Sequence, residues 1–292
     1  MNEYSKINVI RILKVLRVLI FFAIIAVAII LGLNLNEYRI SRQKYDELKS
    51  LAEGSGLDTL TGDGNSSIKV VGLNEPDGYA DADDAIDEAL LFNINDDYIG
   101  WIRGCGGEID YPVVMGDDNE FYLKHDFYGE KSGSGCIFAE CDTVSPFDGP
   151  VTVLYGHNMR DGSMFHELLK YKDQDYLKEN PSFTIRHNGE DEEFEIFSVF
   201  VRDYEDIPFI EGDEADAAYI KRLETLSLYD TGVGGITDTD MGDTAGADDA
   251  GAHETVGVSV GSAGMDDCRI VMLITCEYSS YDGRMVVCGV AK

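Results

Sequence analysis

The sequence predicts a mainly β protein, a sandwich or closed barrel of eight short strands, with helices before the strands and among them. Three observations carry this. From Tyr98 onward, short runs rich in β-branched and aromatic residues alternate with turns. Two segments, Met164–Lys170 and Glu214–Leu228, interrupt that series with helical spacing. The first third of the chain has a different texture, helical and then rich in Gly, Asp, Ser and Asn.

The N-terminal 17 residues hold Lys6, Arg11, Lys14 and Arg17, and Val18–Leu33 follows without a charged or strongly polar residue. Sixteen residues at about 1.5 Å each cover about 24 Å, a little less than the ~30 Å hydrocarbon core. Leu35 and the apolar face of Val9–Leu16 extend it. The basic flank comes first, so the expected topology is a cytoplasmic N-terminus (1–17), a single transmembrane anchor (18–35) and an extracellular remainder. Ala26-Val27-Ala28 has the form of a signal-peptidase site but lies inside the apolar run, which favours an uncleaved anchor.

Asn36–Glu53, with Tyr38, Tyr45, Leu48 and Leu51 at helical spacing, reads as a short helix leaving the membrane. Gly54–Asp84 reads as a linker and Asp84–Phe92 as one more helix, so that 36–92 forms a stalk. The predicted strands are Tyr98–Ile102, Ile109–Met115, Cys136–Ala139, Val151–Tyr155, Phe183–Arg186, Phe194–Val201, Ile270–Thr275 and Met285–Val290. Within 93–292, Thr231–Asp267 is dominated by Gly, Asp, Ala and Thr and is expected to be a solvated insertion in which only Val256–Val260 suits a strand. Its acidic residues do not follow the EF-hand loop pattern.

The 292 residues include 55 acidic and 23 basic side chains, for a formal net charge of −32. That excludes nucleic acid, whose phosphates demand Lys and Arg, and a folded domain lying flat on anionic lipid. Six cysteines without regular spacing give neither a zinc pattern nor a dense disulfide framework, so no metal is expected.

The candidate chemistry centres on Arg269–Arg284. Cys276 ends an apolar run, polar turn residues follow, and Arg284 opens the next run. A strand end holds a nucleophile rigidly, and an adjacent guanidinium favours the thiolate and can bind an oxyanion. The alternative is a buried structural cysteine beside a surface arginine. A cysteine nucleophile also needs a base or acid partner. Of the five histidines, His253 falls in the acidic insertion, His187 in the turn Arg186-His187-Asn188-Gly189 and His166 in a short amphipathic helix. His157 directly follows an apolar run, in Tyr155-Gly156-His157-Asn158, and is the leading candidate, with His125 next.

Leu273-Ile274-Thr275-Cys276, with Arg284 on the next strand and Tyr155-Gly156-His157-Asn158-Met159 before it, resembles a sortase. Ile109–Val114, Asp118–Leu123, Gly162-Ser163-Met164-Phe165 and a helix at Glu214–Leu228 resemble class B, over roughly 93–292 apart from the acidic insertion. The resemblance implies an eight-stranded sortase-type β-barrel with N-terminal helices and a helix before the nucleophile strand. It also implies a cysteine transpeptidase without metal or organic cofactor. Such enzymes cleave a C-terminal sorting signal (NPQTN- or LPXTG-like) of surface proteins after threonine, through a thioester. They pass the acyl group to an amine of a lipid-linked peptidoglycan precursor.

By position, the resemblance makes Cys276 the nucleophile, His157 the acid/base and Arg284 the oxyanion ligand, with the backbone N–H of Glu277 completing the oxyanion hole. Asn119, Leu123 and Thr275 match substrate-binding positions. The chain departs from the family pattern at Ile274 and Cys136, where serine is usual. Two rivals remain: a catalytically inactive barrel that only binds a peptide or wall component, and a papain-like hydrolase. The second is disfavoured because its nucleophile opens a helix near the N-terminus.

Overall fold

The computed structural model describes residues 3–54, 86–210, 217–229, 231, 268–277 and 282–292. Eight strands close into one barrel: β1 (Tyr98–Gly104), β2 (Ile109–Val114), β3 (Ile137–Ala139), β4 (Val151–Tyr155), β5 (Ser182–His187), β6 (Glu190–Asp203), β7 (Ile270–Cys276) and β8 (Gly283–Ala291). Around the barrel the order is β1, β2, β3, β4, β7, β8, β6, β5, and β5 pairs back onto β1. Six pairings are antiparallel, while β2–β3 and β4–β7 are parallel. Each predicted run became a strand: β1, β5, β7 and β8 are one or two residues longer at an end, β4 is as predicted, and β2 and β3 are one residue shorter. β6 is longer still, because Glu190–Glu193 extends a hairpin with β5 through the turn Asn188-Gly189.

The helices are α1 (Glu3–Ala52), α2 (Glu88–Ile94), α3 (Gln174–Glu179) and α4 (Ala217–Leu226). The chain divides into two compact units, Met1–Lys44 and Tyr45–Lys292. The segment expected as a separate helix from Asn36 is the continuation of α1, since no Pro lies in the helix and no Gly lies between Asn36 and Gly54. Among the described residues no helix is long and apolar enough to cross a membrane, so the expected transmembrane anchor finds no support there. Met164–Lys170 is a 3₁₀ turn, His166–Lys172. Most of the linker 54–84, the strand Val256–Val260 and nearly all of the insertion 231–267 lie outside the described residues.

Within the second unit, the last turns of α1 seal one side of the barrel. Tyr45, Leu48 and Ala52, spaced by three and four, are buried. Tyr45 packs edge-on against Tyr111 and its hydroxyl donates to Gly135 O at 2.7 Å. Asp110 on β2 accepts from Lys49, from Trp101 Nε1 (2.6 Å) and from Arg103 Nε (3.3 Å), and Arg103 also pairs with Glu53. A carboxylate meeting two cations and an indole N–H fixes the helix by direction as well as by burial.

An eight-stranded barrel is just wide enough to be filled by its own side chains, so a packed helix must lie outside it. Alternation therefore gives β7 two buried faces. Val271 and Leu273 point one way. Ile270, Met272 and Ile274 point the other, joining Val286, Cys288 and Val290 of β8 and Val151 and Val153 of β4. Leu223 of α4 and Ile207 cover that second face, and Tyr219, Ile220 and Phe209 pack at its edge. Each fully buried aliphatic or aromatic side chain contributes about 1.5–3 kcal/mol of transfer free energy.

Candidate active site

The face under α4 does not stop where the helix ends. Continuing by two, β7 next presents Cys276, and its cross-strand partner on β8 is Arg284. β4 runs parallel to β7 with Tyr155 opposite Ile274, and Gly156 N–H adds a further rung to Ile274 O at 3.2 Å. His157 lies two residues past Tyr155, as Cys276 lies two past Ile274. Three adjacent strand ends thus bring together the histidine, cysteine and arginine picked from the sequence, although 119 residues separate the first two. All three are half-buried.

Gly156 is what lets the β4 end approach so closely. A Cβ there would stand 2.5 Å from Ile137 Cδ1 and 2.7 Å from the Phe165 ring. Beyond it, His157 Nε2 lies 2.8 Å from Leu123 O. A carbonyl only accepts, so Nε2 carries the proton and in the neutral ring Nδ1 holds the lone pair. His157 O accepts from Phe165 N–H at 3.0 Å. Asn158 then clamps the nucleophile strand: its Nδ2 donates to Cys276 O at 2.9 Å, while His166 Nδ1 donates to its Oδ1 at 2.7 Å. Asn158 stands inside the His157 motif, so the sequence carried this signal; its task as a clamp did not show there.

Arg284 is held on three sides. Nη1 donates to Asp282 O (2.9 Å) and Gly283 O (3.1 Å), Nη2 pairs with Asp282 Oδ1 (2.7 Å), and the guanidinium lies 5.6 Å from the Tyr204 ring centre. The Glu277 N–H, expected in the oxyanion hole, donates to Gly283 O at 2.8 Å in this structure. The Glu277 carboxylate is buried and pairs with Lys172 at 2.6 Å.

The expected substrate positions divide. Thr275 is buried, 2% exposed, and its hydroxyl donates to Gly156 O at 2.8 Å. It ties β7 to β4, with its side chain turned away from the Cys276 face. Alternation is the reason, since Thr275 faces opposite to Cys276. Leu123 is half-buried and supplies the carbonyl that fixes His157. Asn119 Nδ2 donates to Glu140, and its Oδ1 accepts from Cys141 N–H at 2.8 Å.

His125 and His187 have other partners. His125 stacks on Phe121, with ring centres 4.0 Å apart, and donates to Phe121 O. His187 is buried beside Phe147 and Glu192. His253 lies outside the described residues. All six cysteines are free. Burial pushes the Cys105 and Cys136 thiols up to about 12, and that of Cys288 higher still. Among the described residues no group of three or more His, Cys, Asp or Glu is placed to hold a metal ion.

The profile of the sortase domain matches residues 105–292, more than half of the chain. The chain belongs to the sortase family. Its similarities lie within class B. It is 35% identical over 147 residues to Sortase B of Listeria monocytogenes, covering 49% of this chain and 59% of that one. It is 31% identical over 110 residues to Sortase B of Staphylococcus aureus, covering 38% of this chain and 45% of that one. This sortase thus spans about half the length of the curated relatives it matches. The X-ray structure of Clostridium perfringens sortase B superposes with a TM-score of 0.56 at 32% identity, over 70% of this chain and all of that one.

Proposed function

We propose that this sortase is a cysteine transpeptidase, with Cys276 as nucleophile, His157 as acid/base and Arg284 as oxyanion ligand. The observation that carries the reading is the pairing of Cys276 with Arg284 across β7–β8, with His157 ending the neighbouring β4. The Cys276 thiolate attacks the carbonyl carbon after threonine in a C-terminal sorting signal. The C–N bond breaks as protonated His157 gives its proton to the leaving amine, and a thioester remains. An incoming amine, losing its proton to His157, attacks that thioester, forms the new amide and releases the thiolate. Arg284 cannot lose its charge in a desolvated site, which suits it to the tetrahedral oxyanion. For this it exchanges Asp282 for the substrate oxygen. Glu277 N–H likewise exchanges Gly283 O if it shares that charge.

The proposed substrates are surface proteins ending in an NPQTN- or LPXTG-like signal, and the proposed acceptor is a lipid-linked peptidoglycan precursor. The proposed setting is the outer face of the cell membrane, anchored by 18–35. The uncharged run Val18–Leu33 of the sequence supports this. Asn119 and Leu123 would line the peptide groove.

The test follows intact mass for the parent protein and Cys276→Ala, each incubated with a panel of sorting-signal peptides and then with an amine. An acyl adduct on the parent alone, discharged by the amine, is expected. Peptide binding without any adduct would leave a peptide-binding barrel instead.

A further inference from the structure

Among the described residues, a polar chain centred on Glu140 lies outside the catalytic reading. Glu140, half-buried just after β3, divides its carboxylate between two donors. One oxygen takes Asn119 Nδ2 and the other takes the Tyr155 hydroxyl. Its own N–H donates to Val153 O at 2.9 Å, so its backbone is fixed to β4. The Tyr155 oxygen is 3.5 Å from the Tyr204 oxygen, and the Tyr204 ring underlies Arg284. Tyr155 lies on the same face of the sheet as Cys276. Burial, and then the Glu140 carboxylate, hold the Tyr155 pKa far above its ordinary value, so tyrosine keeps the proton and Glu140 remains the acceptor.

We propose that Glu140 is a specificity-determining positioning residue that makes the peptide groove accept an amide and reject a carboxylate beside Asn119. With Nδ2 turned to Glu140 and Oδ1 turned to Cys141 N–H, the Asn119 amide cannot flip. It has one N–H and one lone pair left to offer. That pair complements a peptide or side-chain amide. A carboxylate could use the N–H but would then stand against the lone pair and the Glu140 charge, and like charges so placed repel. Specificity of this kind comes from the repulsive element as much as from the attractive one. Glu140→Gln keeps the shape, removes the charge and can no longer accept from both donors.

This inference rests on the transpeptidase reading for its rate measurements but not for its binding ones. In the full chain, peptide pairs identical except for Gln or Glu at one position would be scanned along the signal. At one position the parent protein is expected to favour Gln by at least about tenfold in kcat/KM. Glu140→Gln should raise KM for the Gln peptide and collapse that ratio towards one. The reaction of Cys276 with a small neutral methanethiosulfonate and the kcat at saturating peptide should hold, which a merely structural loss would not allow. Anisotropy of the same labelled peptides on Cys276→Ala and Cys276→Ala/Glu140→Gln gives the ratio without catalysis. If no thioester forms, the transpeptidase reading fails while the Glu140 inference is still judged.

Should Glu140→Gln fold poorly, Tyr155→Phe provides the second arm. It leaves Glu140 on Asn119 and should keep the Gln preference, whereas Asn119→Ala should lose it. A parent protein with no Gln preference at any position, or a ratio unchanged in Glu140→Gln, overturns the proposal.

Discussion

Gly156→Ala probes how closely the site depends on the packing behind it. The added Cβ would meet Ile137 Cδ1 at 2.5 Å and the Phe165 ring at 2.7 Å, distances at which something must move. An isoleucine tip ordinarily yields cheaply, but Ile137 and Phe165 are both fully buried and have no free space to enter. Overpacking of this kind costs about 1–3 kcal/mol. A central value of ~2 kcal/mol corresponds to a fall of about 4–8 °C in Tm for a folding unit of this size. Phe165 N–H donates to His157 O, so displacement of the ring also shifts the histidine, and kcat should fall more than KM changes. Ile137→Val removes the Cδ1 methyl. Alone it should cost about 0.5–1.5 kcal/mol, but in the Gly156→Ala background it should cost less or restore stability. Thermal melts of the four proteins of the cycle measure this coupling. A Gly156→Ala protein melting within 1 °C of the parent, or strictly additive effects, would refute the packing argument.

Other outcomes follow from the same geometry. Asn158→Ala removes the clamp on Cys276 O and leaves His166 Nδ1 without its acceptor; it should cost about 1–2 kcal/mol in melting and lower kcat roughly tenfold with KM nearly unchanged. Iodoacetamide at pH 8, followed by peptide mapping, should label Cys276 and Cys141 in the native protein. Cys105, Cys136 and Cys288, whose thiols burial keeps protonated at that pH, should react only after unfolding. Tyr98, Tyr155, Tyr171 and Tyr219 have pKa values raised chiefly by burial. Their folded pKa exceeds the unfolded value of about 10, so the stability they contribute is present below pH ~10 and is lost as pH rises above it. Denaturant melts between pH 8 and 11.5 should show stability falling from about pH 9, where the buried thiols of Cys105, Cys136 and Cys288 ionise on unfolding, and falling more steeply above pH ~10 as the tyrosines join them. Absorbance near 295 nm should show a delayed, cooperative ionisation.

Much of this protein was legible in its sequence because the signals were local. Alternation of apolar residues, turns and chain breakers marked the eight strands, and strand ends marked Cys276 and His157 as positions able to present a side chain. A run of sixteen uncharged residues or an excess of acid over base is likewise local information. What the sequence withheld was partnership. Whether eight runs closed as a barrel or stacked as a sandwich depended on β5 pairing back onto β1, over eighty residues away. That β4 lies beside β7, bringing His157 to Cys276, is a parallel pairing with no turn to announce it. The face assigned to each residue also depended on register: one step along β7 turns Thr275 inward and Cys276 outward. Glu140 belonged to no motif, and only the approach of Asn119 from one side and Tyr155 from the other gave it a role. Local chemistry determined which residues were able to act, and long-range strand pairing, through register and burial, decided which of them meet.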